Sequence, residues 1–286
     1  MLSSSSQFIS FDELGLDAAG IARLSTEIKK PYGMILASGP TGSGKTTTIY
    51  SILNSLNTPE VHITTIEDPI EYVMPRVSQT QVNIAAGITF ASGLRALLRH
   101  SPDIIVVGEI RDTETAEIAV HASLTGHLLV STIHTNNAPG AIPRLIELGV
   151  PAFFIASTLN AVVAQRLVRR ICQQCIQSVE LTPAMVKSLT EELVRRGRKH
   201  TVSKAGYRGK GCTLCSNTGY SGRIGIFEIF VVDQNVRNVI NSAQITLDNL
   251  KKAADAQGMI SMFEDGLQKV EHGLTTVEEI FRAIRE

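Results

Sequence analysis

The sequence predicts an α/β fold on a mostly parallel sheet, followed by a smaller C-terminal part of different character. Three observations predict it. The runs "DIIVVGE" and "HLLVSTIH" are apolar without alternation, which suits strands buried on both faces. Segments with helical periodicity alternate with them. Past roughly residue 170 the alternation stops and two cysteine pairs take over.

In chain order, "MLSSSSQF" lacks the charged and apolar regions of a signal peptide. "FDELGLDAAGIARLSTEIKK" (11–30) places apolar residues at helical spacing and ends at Pro31 and Gly33, so 1–30 reads as an N-terminal helix or linker remnant. "GMILASGPTGSGKTTTIYSILNSL" reads strand, glycine-rich turn, helix. "HITTIED" is a β-branched strand ending in acids. "FASGLRALLRHSP" is a helix that stops at Pro102, and "DIIVVGE" is a buried strand. "ETAEIAVHASLTG" is a helix closed by Gly126, and "HLLVSTIH" is a further buried strand. The uncharged stretch "LGVPAFFIASTLNAVV" (148–163) is short of a membrane span and reads as a buried helix after a loop. "RIGIFEIFVV" reads as a strand and 245–286 as helical. The expected domains are a core over 31–170, a cysteine-bearing subdomain over 171–225, and a strand and helical subdomain over 226–286.

Apolar residues make up 43% of the 286 and charged residues 19%, with a formal net charge of +0. This is ordinary soluble composition. A neutral chain has no bulk attraction to nucleic acid or to an acidic membrane surface.

Gly39-Pro40-Thr41-Gly42-Ser43-Gly44-Lys45-Thr46 fits G-x-x-x-x-G-K-[ST] in full, and Thr47 follows. Glycines let backbone N–H groups approach phosphates closely, and the helix that follows turns its N-terminus toward their charge. Lys45 would reach the β- and γ-phosphates of ATP, and Thr46 would hold Mg²⁺. An apolar strand runs in and a helix runs out, as a P-loop NTPase (RecA-like) sheet requires.

Hydrolysis also needs groups that align water and hold the metal. Acids stand at the ends of two predicted strands: Glu67, Asp68 and Glu71 in "TIEDPIEY", and Glu109 in "DIIVVGEIRD". Glu109 has the place of a Walker B acid. Glu71 is the first choice for polarising water and Glu67 the second. His134 ends a third strand in "STIHTNNA", where a γ-phosphate sensor would sit. Arg95, Arg99 and Arg111 are candidate phosphate or intersubunit contacts, although as isolated arginines each reads first as a surface or salt-bridge residue.

"GPTGSGKTTT", "TIEDPIEY", "LLRHSPDIIVVGEIRDTETAEIAVHASLTGH" and "LLVSTIHTNNAPGAIPRLIELGV" follow one another in order. Together they resemble the Walker A, Asp box, Walker B and His box of the type II/type IV secretion-system ATPases. The likeness runs from about residue 8 to the C-terminus and is strongest to pilus-assembly and type II secretion members. It implies an ATPase that forms a ring, typically a hexamer, cytoplasmic and peripheral to the inner membrane. Such a ring drives an inner-membrane platform protein that adds pilin subunits to a fibre. It implies that Lys45 and Thr46 bind phosphate and Mg²⁺, that Glu71 is the catalytic acid, Glu109 the Walker B acid and His134 the His-box residue. The two sets of acids can exchange roles without the sequence showing it.

Cys172-x-x-Cys175 and Cys212-x-x-Cys215 hold all the cysteines of the chain. Two such pairs complete a tetrahedron of thiolates with no open position, so the reading is a structural Zn²⁺ site. Two disulfides or four free thiols are the alternatives, and a cytosolic location argues against disulfides. The family resemblance agrees, since assembly-type members carry a tetracysteine module and retraction members lack it. "RRGRKH" (195–200) reads as a solvated basic run, with no interleaved aromatics to stack on a single strand.

Only residues 1–38 precede Gly39, whereas the family places a further domain there that carries arginines reaching the nucleotide. The chain therefore resembles the C-terminal catalytic half of a longer protein. A non-hydrolysing nucleotide-binding scaffold, and a retraction or type IV secretion ATPase, are the alternative functions. No specific nucleic-acid partner is expected.

Overall fold

Gly33–Ser38 is buried at every position and forms β1 of a seven-stranded sheet. The computed structural model describes residues 9–197, 202–242 and 244–285. The initial serines and the end of the basic run "RRGRKH" lie outside the described residues. Where one helical stretch is expected ahead of β1 there are two, α1 (Phe11–Leu14) and α2 (Ala18–Ile28). Gly15, at φ 103°, ends α1, and the Asp17 carboxylate accepts from Gly20 N at 2.7 Å to start α2.

After β1 come α3 (Lys45–Leu56), β2 (Ile63–Glu67), β3 (Val77–Gln81), α4 (Phe90–Leu97), β4 (Ile104–Val107), α5 (Thr113–Leu124) and β5 (Leu128–Ile133). Then follow α6 (Ala141–Glu147), α7 (Ala152–Thr158), β6 (Leu159–Ile171), β7 (Ile176–Glu180), α8 (Pro183–Arg195), β8 (Ala205–Gly209) and β9 (Tyr220–Val231). Four helices close the chain: α9 (Gln234–Ile240), α10 (Leu247–Ala256), α11 (Met262–Glu271) and α12 (Val277–Arg285).

The sheet order is β3-β2-β4-β5-β1-β6-β9. β1 pairs in parallel with β5 and β6, β2 with β3 and β4, and β4 with β5. Strands β1, β2, β4 and β5 are buried at every position, as the lack of alternation in β4 and β5 predicts, and β2 buries Thr64, Thr65 and Glu67 along with its two isoleucines. Ile35 sits beside Val130, which sits beside Val106, which sits beside Thr65, in one row of the core.

The stretch 148–163 differs from expectation. Its helix ends at Thr158, and from Leu159 the chain is a strand, with Ala161 beside Ile35 and Val162 beside Leu36. Pairing to the edge of β1 opposite β5 outweighs helix continuation, and β-branched Val162 and Val163 suit it.

Contacts divide the chain into two units, 1–165 with 228–260, and 166–227 with 261–286. These bounds cut across the expected ones at 170 and 226. In the first unit, Val232 N donates to Asn160 O at 2.8 Å, and Glu228 accepts from Ala138 N at 3.0 Å. Arg23 on α2 donates to the carbonyls of Gln257 and Gly258, so the N-terminal helix packs as part of this unit. The second unit holds the antiparallel ribbon β7–β8 and packs α8, α11 and α12 around Leu189, Leu193, Phe263 and Ile280. Among the described residues no helix is long and apolar enough to cross a membrane.

Candidate nucleotide site and cysteine cluster

Four neighbouring parallel strands, β2, β4, β5 and β1, end on one edge of the sheet, and each delivers one part of the candidate site there. β1 delivers the loop 39–44, in which Gly39, Gly42 and Gly44 have φ of 147°, 77° and 89°. A side chain at Gly39 would place its Cβ 2.5 Å from Ser43 Oγ and 2.6 Å from the carbonyl oxygen of Gln165. Lys45 is almost wholly buried and donates from Nζ to the carbonyls of Gly39 and Pro40, at 2.8 and 2.9 Å. Its ammonium thus ties the loop into a closed ring. Ser43 Oγ is buried and has no hydrogen-bond partner, and Thr46 is exposed on the first turn of α3. An orphaned hydroxyl inside a glycine cradle, a lysine and a free threonine at a helix N-terminus are what phosphate oxygens and a divalent cation require. Pro40, Thr41 and Thr47 complete the loop and the turn that follows.

β4 delivers Glu109. Backbone bonds on either side hold it, from Gly108 N to Ile66 O at 2.8 Å and from Ile110 N to Thr132 O at 2.9 Å. Its carboxylate pairs with Arg111 at 2.9 Å and stands 3.6 Å from Nε2 of His134, which β5 delivers. His134 also lines a cleft of about 180 Å³ with Gly39, Pro40, Thr135 and Asn136. Glu109, His134 and the loop therefore adjoin one another.

β2 delivers Glu67, and here the environment is closed. Glu67 is buried; Oε2 accepts from Tyr50 Oη at 2.6 Å, and Oε1 from Thr65 Oγ1 at 2.6 Å and Gln79 Nε2 at 3.1 Å. Burial first, and then this bond to Glu67, push the Tyr50 phenol above its ordinary range, so it stays a donor. Glu71, in the loop after β2, is exposed, and its carboxylate has no partner among the described residues. Of the candidate arginines, Arg95 pairs with Glu114 at 2.7 Å, Arg111 with Glu109, and Arg99 is exposed. Sequence reasoning missed Tyr50, Thr65 and Gln79. The one signal was a tyrosine within the apolar face of α3.

In the second unit, the four cysteine sulfurs lie within 4.8 Å of one another. The separations are 3.8 Å for Cys172–Cys212, 3.8 Å for Cys175–Cys215 and 3.6 Å for Cys212–Cys215. A tetrahedron with metal–sulfur bonds of about 2.3 Å has edges of about 3.8 Å, whereas a disulfide needs about 2.05 Å. The sulfurs therefore fit one tetrahedral ion. Burial opposes ionisation of Cys215, yet N–H bonds from Cys212 and Gly219 hold it below the ordinary thiol range. The two knuckles are stitched together by Cys172 N to Gly219 O at 3.0 Å and Lys210 N to Cys175 O at 2.9 Å.

Known proteins are similar to this chain in sequence and fold. A family model described as Type II/IV secretion system protein matches residues 1–282. The chain is 46% identical over 275 residues to the type II secretion system protein HxcR of Pseudomonas aeruginosa, covering 96% of this chain and 53% of HxcR. It is 45% identical over 282 residues to the type IV pilus assembly ATPase PilB of Thermus thermophilus, covering 98% of this chain and 31% of PilB. Among solved structures, the pilus retraction motor PilT with bound ADP aligns with a TM-score of 0.69 at 28% identity, over 98% of this chain and 68% of PilT. The DotB ATPase of Legionella pneumophila shares the fold, with a TM-score of 0.68 at 23% identity, over 96% of this chain and 64% of DotB. The chain spans about half the length of HxcR and about a third of PilB. With the P-loop fold, the ordered strand-end motifs and these matches in agreement, the chain belongs to the type II/IV secretion system protein family.

Proposed function

We propose that the chain is the ATP-binding and ATP-hydrolysing core of a cytoplasmic motor subunit that powers type IV pilus assembly or type II secretion. The observation that carries this reading is the adjacency of the Lys45 loop, His134 and Glu109 on one edge of the sheet. Backbone N–H groups of 41–46, with Ser43 and Lys45, bind and orient the phosphates. Mg²⁺ supplies neutralisation of phosphate charge, and Thr46 and Glu109 are the residues that would hold it, the latter through water. Glu71 orients the attacking water. Its exposure and lack of a competing partner favour it over Glu67, whose two oxygens are already occupied. His134, beside both the loop and Glu109, reports the state of the terminal phosphate.

The cysteine cluster takes a structural Zn²⁺: four sulfur donors leave no open position for chemistry. In this reading the chain works in a homo-oligomeric ring, of hexameric order, against an inner-membrane platform protein and without a specific nucleic-acid partner.

Mg-ATP affinity and steady-state turnover of the purified chain test the reading. Lys45→Ala should lower affinity by at least about tenfold, and Glu71→Gln should keep affinity and lose at least about 90% of turnover. Unchanged affinity in the first variant removes the phosphate-binding claim. Binding without turnover in the parent chain removes the hydrolytic one.

A further inference from the structure

The segment 68–76 leaves the sheet at Glu67 and returns at β3, and it carries Glu71. Its outer residues are exposed, Val73 among them, yet its backbone is pinned from inside. The carbonyl of Tyr72, the residue after Glu71, accepts from Gln79 Nε2 at 2.9 Å and from Tyr50 Oη at 3.3 Å. Gln79 Nε2 also lies 3.3 Å from the Tyr50 hydroxyl, and Gln79 Oε1 accepts from Met74 N at 2.7 Å. The rings of Tyr50 and Tyr72 meet edge to face at 5.7 Å. Glu67 anchors the cluster by accepting from both Tyr50 and Gln79.

Tyr50 stands on α3, the helix that begins with Lys45. The five-residue offset between them is about 7.5 Å along the helix axis. One phenol therefore ties the backbone beside Glu71 to the helix that carries the phosphate-binding lysine. The buried Met74 side chain and the bonds of Ile70 to Gln81 and of Asn57 to the Pro75 carbonyl hold the two ends of the segment, while Tyr50 and Gln79 hold the residue next to Glu71.

We propose that Tyr50 and Gln79 are positioning residues that hold the Glu71 segment in register with the phosphate loop, so that turnover, and not nucleotide binding, depends on the Tyr50 hydroxyl. The proposal rests on the assignment of Glu71 to water activation. Tyr50→Phe removes the hydroxyl and keeps the ring contact with Tyr72. Gln79→Met keeps length and removes both hydrogen-bonding groups, and serves if the first variant fails to fold.

Two measurements test it. In steady-state kinetics, Tyr50→Phe should lower kcat by about tenfold or more with Mg-ATP affinity within about twofold of the parent, since displacement of a positioned group acts on the transition state. In the Glu71→Gln background the same change should have no further effect on turnover. A parent-like kcat, or an equal loss in both backgrounds, overturns the proposal, because a merely structural role acts whether or not Glu71 is present. Amide hydrogen exchange in the nucleotide-free chain is the second measurement. Residues 70–74 should exchange at least about tenfold faster in Tyr50→Phe than in the parent, with β1 and β5 unchanged. Unaltered exchange there overturns the pinning itself. This readout needs no ATP hydrolysis, so failure of the ATPase reading is distinguished from failure of the clamp.

Discussion

Replacing Gly39 or Gly42 by alanine puts one methyl group into the same loop at two positions that differ in surroundings. At Gly42, φ is 77° and an added Cβ meets nothing within 4 Å. Its cost is the left-handed backbone alone, about 1–2 kcal/mol. At Gly39, φ is 147° and the Cβ meets Ser43 Oγ at 2.5 Å and Gln165 O at 2.6 Å. The serine hydroxyl has no partner to lose and can turn away, but the carbonyl belongs to β6, paired within the sheet. Backbone strain of about 1–3 kcal/mol and overpacking of about 1–3 kcal/mol then combine to about 2–6 kcal/mol. The central difference between the two variants is about 2.5 kcal/mol, which at about 2–4 °C per kcal/mol separates their melting temperatures by about 5–10 °C. Thermal unfolding of the nucleotide-free protein, followed by circular dichroism, reads this directly. If Gly39→Ala melts at or above Gly42→Ala, the close approach of the loop to β6 is not a feature of the folded chain.

The cysteine cluster and the second unit offer further tests. Cys172→Ser should reduce bound zinc from about one per chain toward zero and lower the melting temperature, because metal binding and folding are linked; intact stoichiometry by elemental analysis would refute the four-sulfur site. Glu279 on α12 is buried, and although burial opposes its ionisation, bonds from Arg282 and Arg169 lower its pKa from 4.5 to about 2. A depressed carboxylate pKa stabilises the fold above the unfolded value, and that stabilisation is lost as pH falls through the folded one. The shift corresponds to about 3 kcal/mol, of which about 2 remains after screening at the half-exposed arginines. The stability gap between the parent and Glu279→Gln should therefore be full above pH 4.5 and close toward about pH 2, and a gap independent of pH would refute the pairing.

The parts of the site that were legible in the sequence are local. The Lys45 loop announces itself because a strand, four spacer residues, a glycine and a lysine must be contiguous to do their work. Glu109 and His134 were legible as strand ends, since buried parallel strands lack alternation and their next residue meets solvent. What escaped depended on residues far apart in sequence. Nothing near Glu67 reveals that Tyr50 and Gln79 close over it. The strand from Leu159 escaped for another reason: an apolar run buried on all sides has neither helical nor strand periodicity, and only its pairing with β1 decides. The expected boundaries near 170 and 226 followed composition. Contacts follow the path of the chain, and 228–260 packs with 1–165.

That path limits how the protein can be dissected. The polypeptide crosses from one unit to the other after residues 165, 227 and 260. The first crossing lies within β6 and the second within β9. No single cut releases either unit whole. A fragment ending at 165 loses α9 and α10, and one starting at 166 carries those helices without the surface they pack on. Isolating the cysteine-bearing unit calls for two junctions redesigned together: residues 166–227 joined to 261–286 by a short bridging loop, with the remaining core reconnected from 165 to 228.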